Sequence, residues 1–299
     1  MMFMDGELWS PISEICDLLK NLSRMFSSMG VFKSIIVFGS AARPGDFIPK
    51  VSDIDVLIVT DLKPIIKYDE LIFKDYRISL VFTSRDELEE MFEIGDPLSF
   101  MLRYSIAVVD DGTYQSITKL KPRITEHTRR ILRRSIFVAL SLAIEKYFHK
   151  IYVESISHLH HSIRHLVRYT ACLNGDSNKF PISNNEVYNY SREPTRSLFK
   201  ILTDTRRRKV DEEEVYILID KVIESISYEL NLKPTFLKDL KTIIKGSIEE
   251  VIVYEVNNQI VFRILVFDNN LRKLEIRGNN IKEINRMIDT ECRLSIDTS

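Results

Sequence analysis

Cysteine is scarce in this chain, and Cys16, Cys172 and Cys292 stand far apart with no Cys-x-x-Cys spacing among them. That excludes reading a disulfide framework or a cysteine zinc site from the sequence, and three free thiols suit a reducing compartment. Long hydrophobic runs are also missing, none approaching the ~18 residues that a membrane span requires. The opening MMFMDGELWS lacks a basic stretch leading into an apolar one, so it does not read as a secretion signal. Charge of one sign is lacking too: 42 lysines and arginines face 43 aspartates and glutamates, for a formal net charge of −1. No global field therefore calls for nucleic acid or a membrane surface, and any basic patch must be local. No repeat of solenoid period is present. The expectation is a cytoplasmic globular protein without membrane partners.

What is present is enough to build a substantial core. A length of 299 residues, with 44% hydrophobic and 28% charged residues, favours two domains over one and leaves room for a small third element. Ile12, Ile15, Leu18, Leu19, Leu22 and Met25 recur at helical spacing between Trp9 and Met29, with Gly30 as a stop. Apolar, β-branched runs over Ser34 to Phe38, Ile54 to Val59, Tyr76 to Phe82 and Ile106 to Val109 predict strands. Ser84-Arg85-Asp86-Glu87 has the form of a capping box and predicts a helix, and Gly95-Asp96-Pro97 predicts another, running to about Tyr104.

Beyond Pro122 the pattern becomes helical, with segments over Thr125 to Lys150, Val153 to Asn174, Thr195 to Arg206, Asp211 to Leu230 and Thr235 to Lys245. Short connections and apolar stripes favour an antiparallel bundle, with Gly175 to Asn184 as its main loop. Val251 to Val256, Ile260 to Phe267 and Leu271 to Ile276 read as strands, closed by a helix from about Ile281 to Ile288. The expected class is α+β: a mixed sheet with flanking helices over 1–122, a helical bundle over 123–247 and a small α+β element over 248–299.

One constellation carries chemistry. A strand ends in Gly39-Ser40, Arg43-Pro44-Gly45 follows, and twelve residues separate Ser40 from Asp53, which with Asp55 opens the next strand. Glycine lets a backbone approach a phosphate closely, and serine offers a hydroxyl and an amide at the expected start of a helix. Aspartates two apart on a strand share a face, because the side-chain period is two. Two hard carboxylates side by side suit Mg²⁺ or Mn²⁺ together with phosphate oxygens. A turn-capping role accounts for Asp53 but leaves Asp55 in an apolar strand, a costly position without a cation or donor.

At these residues the sequence resembles the DNA polymerase beta-like nucleotidyltransferase superfamily, in particular its minimal and aminoglycoside nucleotidyltransferase branch, over about residues 10 to 120. The resemblance implies a nucleoside triphosphate bound with Mg²⁺ at Asp53 and Asp55, which are both metal ligands and catalytic residues. It implies that Gly39, Ser40 and Arg43 contact the nucleotide, although a solvated Arg43 is an equal reading. It further implies nucleotidyl transfer to a hydroxyl acceptor, small molecule or protein, and in the aminoglycoside branch a helical domain that completes the site, often across a homodimer. Active members carry a third carboxylate on a neighbouring strand, where this chain has Ser79, a residue that cannot act as a base. Glu70, Asp69 and Asp75 read as the approach to that strand. Weak turnover, a base from elsewhere such as Glu145, and a non-catalytic nucleotide-binding or protein-interaction module all stay open, as does action on a partner protein.

The helix His158 to Gly175 resembles the long helix of HEPN-type bundles, though it lacks the later histidine of the ribonuclease motif. His161 and His165 have zinc-helix spacing without an acidic residue between them, and Arg164 and Arg168 repel a cation, so a polar face is the favoured reading. Those arginines are alternatively a phosphate-lining stripe. Arg206-Arg207-Arg208-Lys209 before Asp211-Glu212-Glu213-Glu214 reads as a solvated helix start, with nucleic acid as a weaker alternative.

Overall fold

The apolar strands on either side of Gly39 and Asp53 form the centre of a five-stranded sheet in a computed structural model that describes residues 10–28, 32–43, 45–175, 179–241 and 246–284. The chain divides into two compact units, one running to Arg133 and resuming over Val167–Arg192, the other made of Arg134–Leu166 and the chain from Glu193 onward.

In the first unit, helix α1 (Ser10–Ser28) is followed by β1 (Phe32–Phe38), β2 (Ile54–Thr60), β3 (Tyr68–Phe73), β4 (Tyr76–Ser84) and β5 (Ile106–Asp110). The strand order is β3-β4-β2-β1-β5, with β2 and β4 parallel and the other neighbours antiparallel. Alternation along β1 and β2 divides the core. Ile35, Val37, Val56 and Ile58 pack with Ile12, Ile15 and Leu19 of α1, whereas Ile36, Phe38, Leu57 and Val59 pack with Leu88 and Phe92. Leu88 and Phe92 belong to α2 (Arg85–Ile94), where the expected capping box forms with both hydrogen bonds, and Gly95 ends the helix in the left-handed conformation. Asp96 then caps α3 (Pro97–Met101), which tightens into a 3-10 turn over Leu102–Tyr104.

Two elements of this unit leave no mark in the sequence pattern. Strand β3 covers Asp69 and Glu70, which the pattern assigns to the approach to β4. It is an edge strand, exposed along most of its length, so neither face imposes an apolar alternation, and its two-residue Lys74-Asp75 turn has no glycine. Helix α4 (Thr113–Ile117), a single turn after Gly112, is likewise too short for a periodic signal.

The longer helices stand close to their expected limits: α5 (Glu126–Phe148), α6 (Tyr152–Leu173), α8 (Thr195–Thr205) and α9 (Glu212–Leu230). Between α6 and α8, the last residue assigned to a loop begins α7 (Asn184–Tyr190), which has a capping box of its own at Ser183 and Glu186. Helix α10 (Leu237–Lys241) starts two residues later than expected, and the remainder of that segment lies outside the described residues.

In the second unit, β6 (Ser247–Val256), β7 (Gln259–Asp268), β8 (Asn270–Arg277) and β9 (Asn280–Glu283) form an antiparallel sheet in sequence order. The predicted closing helix is a correction: its first turn is strand β9, paired to β8 through a Gly278-Asn279 turn, and its later residues lie outside the described ones. Two α5 side chains meet β6, as the Val253 amide donates to Ser141 Oγ at 2.7 Å and the Val251 amide donates to Glu145 at 3.4 Å. No helix among the described residues is long and apolar enough to cross a membrane.

Candidate active site

The register of the first sheet assembles the site. Gly39 leaves the end of β1 with φ +69, and a Cβ built on it would collide with the Asp55 carboxylate. The glycine is thus needed twice, for its backbone conformation and for the contact. Phe38 pairs with Asp55 across β1 and β2, which brings the turn against the head of β2. Asp55 is the second residue of β2, and Asp53 lies just before the strand with its side chain 43% exposed.

The helix expected at Ser40 is only a four-residue 3-10 turn, Gly39–Ala42. Arg43 then turns extended (φ −131, ψ 96), as a residue before proline is constrained to do. Ser40 is partly exposed at this turn, and its carbonyl accepts the Arg43 amide at 3.0 Å.

Arg43 is not a solvated loop residue. Its Nε donates to Asp46 Oδ2 at 2.7 Å, with both side chains over nine-tenths buried. Asp46 also accepts the Asn184 amide at 3.0 Å. The Nη1 of Arg43 is buried and has no hydrogen-bond partner among the described residues. A buried guanidinium with its Nη1 amino group unpaired is costly unless something polar arrives.

On the other side of β2, the parallel register sets Ser79 of β4 directly beside Asp55, and the antiparallel register of β3 sets Glu70 beside Ser79. Arg77 Nε lies 3.5 Å from Glu70 Oε1 and 3.9 Å from Asp53 Oδ1, and Tyr68 Oη lies 3.3 Å from Ser79 Oγ. Sequence reasoning missed Glu70 at this face because it missed β3, whereas Arg77 lies on the expected strand two residues before Ser79. A groove of about 1160 Å³ in the same unit is lined by Phe92, Phe100, Arg103, Tyr114 and Arg123 among others, and neither aspartate lines it. No cluster of three or more metal-ligating side chains occurs among the described residues.

The histidines and basic residues of the helical region are placed differently. Arg168 is buried and donates to the carbonyls of Pro181 at 3.0 Å and Ile182 at 2.9 Å, tying down the chain before α7. That is a structural task rather than phosphate lining. In the second unit, enclosure of its ring, then Arg164 and Arg206, hold the His161 imidazole well below its ordinary pKa, so it is neutral. Arg206 is buried with Nη1 3.4 Å from His160 Nδ1, and Arg208 pairs with Glu214. Two of the four residues of the basic run are thereby engaged within the fold.

No curated protein matches the sequence. Among solved structures, a nucleotidyltransferase-like protein from Exiguobacterium sibiricum matches at 13% identity, covering 72% of this chain and 76% of that one. Its TM-score of 0.31 is too low to argue from. The sequence family described as "Nucleotidyltransferase domain" matches residues 15–133, the stretch that holds Gly39, Ser40, Asp53, Asp55 and the whole five-stranded sheet. Over residues 15–133 the chain is therefore similar to nucleotidyltransferase domains.

Proposed function

We propose that this domain binds a nucleoside triphosphate with Mg²⁺ or Mn²⁺ at Asp53 and Asp55 and transfers its nucleotidyl group to a hydroxyl, releasing pyrophosphate. The observation that carries the reading is the bare backbone of Gly39 against the Asp55 carboxylate, with Asp53 two residues before it. A side chain at position 39 would push the Asp55 carboxylate out of its place. The residues fit a hard divalent cation, since two carboxylates supply the charge and phosphate oxygens the remaining ligands. Bound there, such an ion neutralises charge that develops on the phosphates.

The chain's own residues have separate tasks. The Ser40 hydroxyl and the amides of the turn offer donors to phosphate oxygens. Arg43, held by Asp46, offers its buried Nη1 amino group to the same anion, which would relieve that unpaired group. The acceptor is a hydroxyl on a small molecule or on a partner protein. A cytoplasmic setting and a homodimer that completes the site belong to the same reading.

A second reading, a nucleotide-binding module without turnover, is favoured by one observation: the residue beside Asp55 is Ser79. Calorimetric titration of each nucleoside triphosphate, with and without Mg²⁺, tests both. Metal-dependent binding by the native chain and its loss in Asp53→Ala/Asp55→Ala are expected, and equal binding by the double variant refutes the site. Release of labelled pyrophosphate distinguishes an enzyme from a binding module.

A further inference from the structure

Nucleotidyl transfer to a hydroxyl requires a group that accepts the hydroxyl proton. Ser79 stands next to Asp55 on β4 and cannot do so, yet the face does not end at β4. Directly paired strand residues project to the same side of a sheet, so Asp55, Ser79 and Glu70 form one row across β2, β4 and β3. At a strand spacing of ~4.8 Å, the Glu70 backbone lies about 10 Å from that of Asp55. The Ser79 side chain between them is short and nearly buried, whereas the Glu70 side chain is 42% exposed and reaches one methylene further than an aspartate.

A second contact reports the same convergence independently of the register. The Arg77 guanidinium lies within 4 Å of a carboxylate oxygen of both Asp53 and Glu70, so these acids lean toward one place. Tyr68, also on β3, approaches Ser79 Oγ at 3.3 Å and Glu70 Oε2 at 3.5 Å. The charged and titratable groups around Glu70 on this face are therefore Asp53, Asp55, Arg77 and Tyr68.

We infer that Glu70, from the edge strand two positions away from Asp55, is the catalytic base that replaces the missing carboxylate at position 79; this rests on the nucleotidyltransferase reading above. The Glu70 carboxylate takes the proton of the acceptor hydroxyl. The freed electron pair of that oxygen forms the bond to the α-phosphorus, the α–β bridging P–O bond breaks, and its electron pair departs with pyrophosphate. Glu70 then passes its proton to solvent. Arg77 is a positioning residue that orients the carboxylate.

The test uses the full chain, Glu70→Gln and Glu70→Gln/Ser79→Asp. Pyrophosphate release from each of the four common Mg²⁺-triphosphates is followed between pH 5 and 9 with glycerol as the surrogate hydroxyl. Calorimetric binding of Mg²⁺ with a non-transferable α,β-methylene analogue of ATP is measured alongside. Glu70→Gln is expected to lower kcat by a factor on the order of 10²–10⁴ and to remove the acid limb of the pH profile. Its affinity for the analogue should stay within twofold of the native value. The double variant, with a carboxylate one strand nearer, should regain at least tenfold. Native kcat and pH profile in Glu70→Gln would overturn the assignment of the base and leave the site intact. Failure of the native chain to bind the analogue would overturn the site itself and the base with it, and binding without pyrophosphate release from any triphosphate would also overturn the base.

Discussion

Replacing Gly39 with alanine should cost stability in two separable ways. The first is conformational: φ is +69, where an L-residue with a Cβ is disfavoured by about 1–2 kcal/mol, partly offset by the lower entropy of the unfolded alanine chain. The second is steric, because the new Cβ would overlap the Asp55 carboxylate and force that side chain off its rotamer, for about another 1 kcal/mol. Gly175 supplies the control. It lies in the same unit at φ +73, and a methyl group there would meet nothing within 4 Å, so Gly175→Ala isolates the conformational part. Urea denaturation should give a loss of ~1 kcal/mol for Gly175→Ala and ~2 kcal/mol for Gly39→Ala, or about 2–4 °C per kcal/mol in melting temperature. Only Gly39→Ala should also weaken Mg²⁺-nucleotide binding, by about tenfold or more, since it moves a carboxylate proposed to hold the metal. Equal losses in the two variants, with native nucleotide affinity in Gly39→Ala, would refute the claim that the turn and Asp55 are matched to each other.

Asp46→Ala strips the partner from a guanidinium that is 8% exposed and also orphans the Asn184 amide, so a loss of about 3 kcal/mol or more is expected in denaturant titrations. A loss under about 1 kcal/mol would mean that Arg43 finds another partner readily. Cys172 is fully buried, and that burial pushes its thiol up to about 12. Iodoacetamide at about pH 7.5 should therefore leave Cys172 unmodified in the native protein and label it on unfolding, as read by peptide mass spectrometry; rapid native labelling would contradict the packing. In the second sheet, burial alone would raise the Glu275 carboxyl, but the Tyr254 hydroxyl with Arg277 and Arg263 outweighs it and holds the group below its ordinary 4.5. The unfolded chain therefore binds that proton more readily, so the contribution of Glu275 is complete above about pH 4.5 and is lost as pH falls through the lower folded value. Glu275→Gln should cost ~2 kcal/mol at pH 7 and flatten this acid-side decline in thermal melts, and an unchanged slope below about pH 4.5 would refute the assignment.

Local chemistry makes much of the fold readable. Strands β1, β2, β4 and β5 carry dense β-branched runs because each pairs on at least one buried face, and the Ser84–Glu87 box declares its helix start outright. Strands β3 and β9 are unreadable or misread because these two edge strands bury little, so no periodicity is imposed on their residues. The same gap hides the chemistry: with β3 invisible, Glu70 has no strand to stand on and Arg77 no second acid to meet. Arg43 shows the limit from the other direction. Its place after Gly39-Ser40 is legible, but its burial depends on Asp46, and the Asp46 hydrogen bond to Asn184 spans 138 positions.

By itself the sequence determined the Gly39-Ser40 turn and the serine at position 79, because each follows from backbone freedom or the identity of one side chain. Only the tertiary structure decided what lies beside them. Strand order and register are set by pairing between distant segments, and it is that pairing which puts Ser79 against Asp55, carries Glu70 into the same row and encloses Arg43.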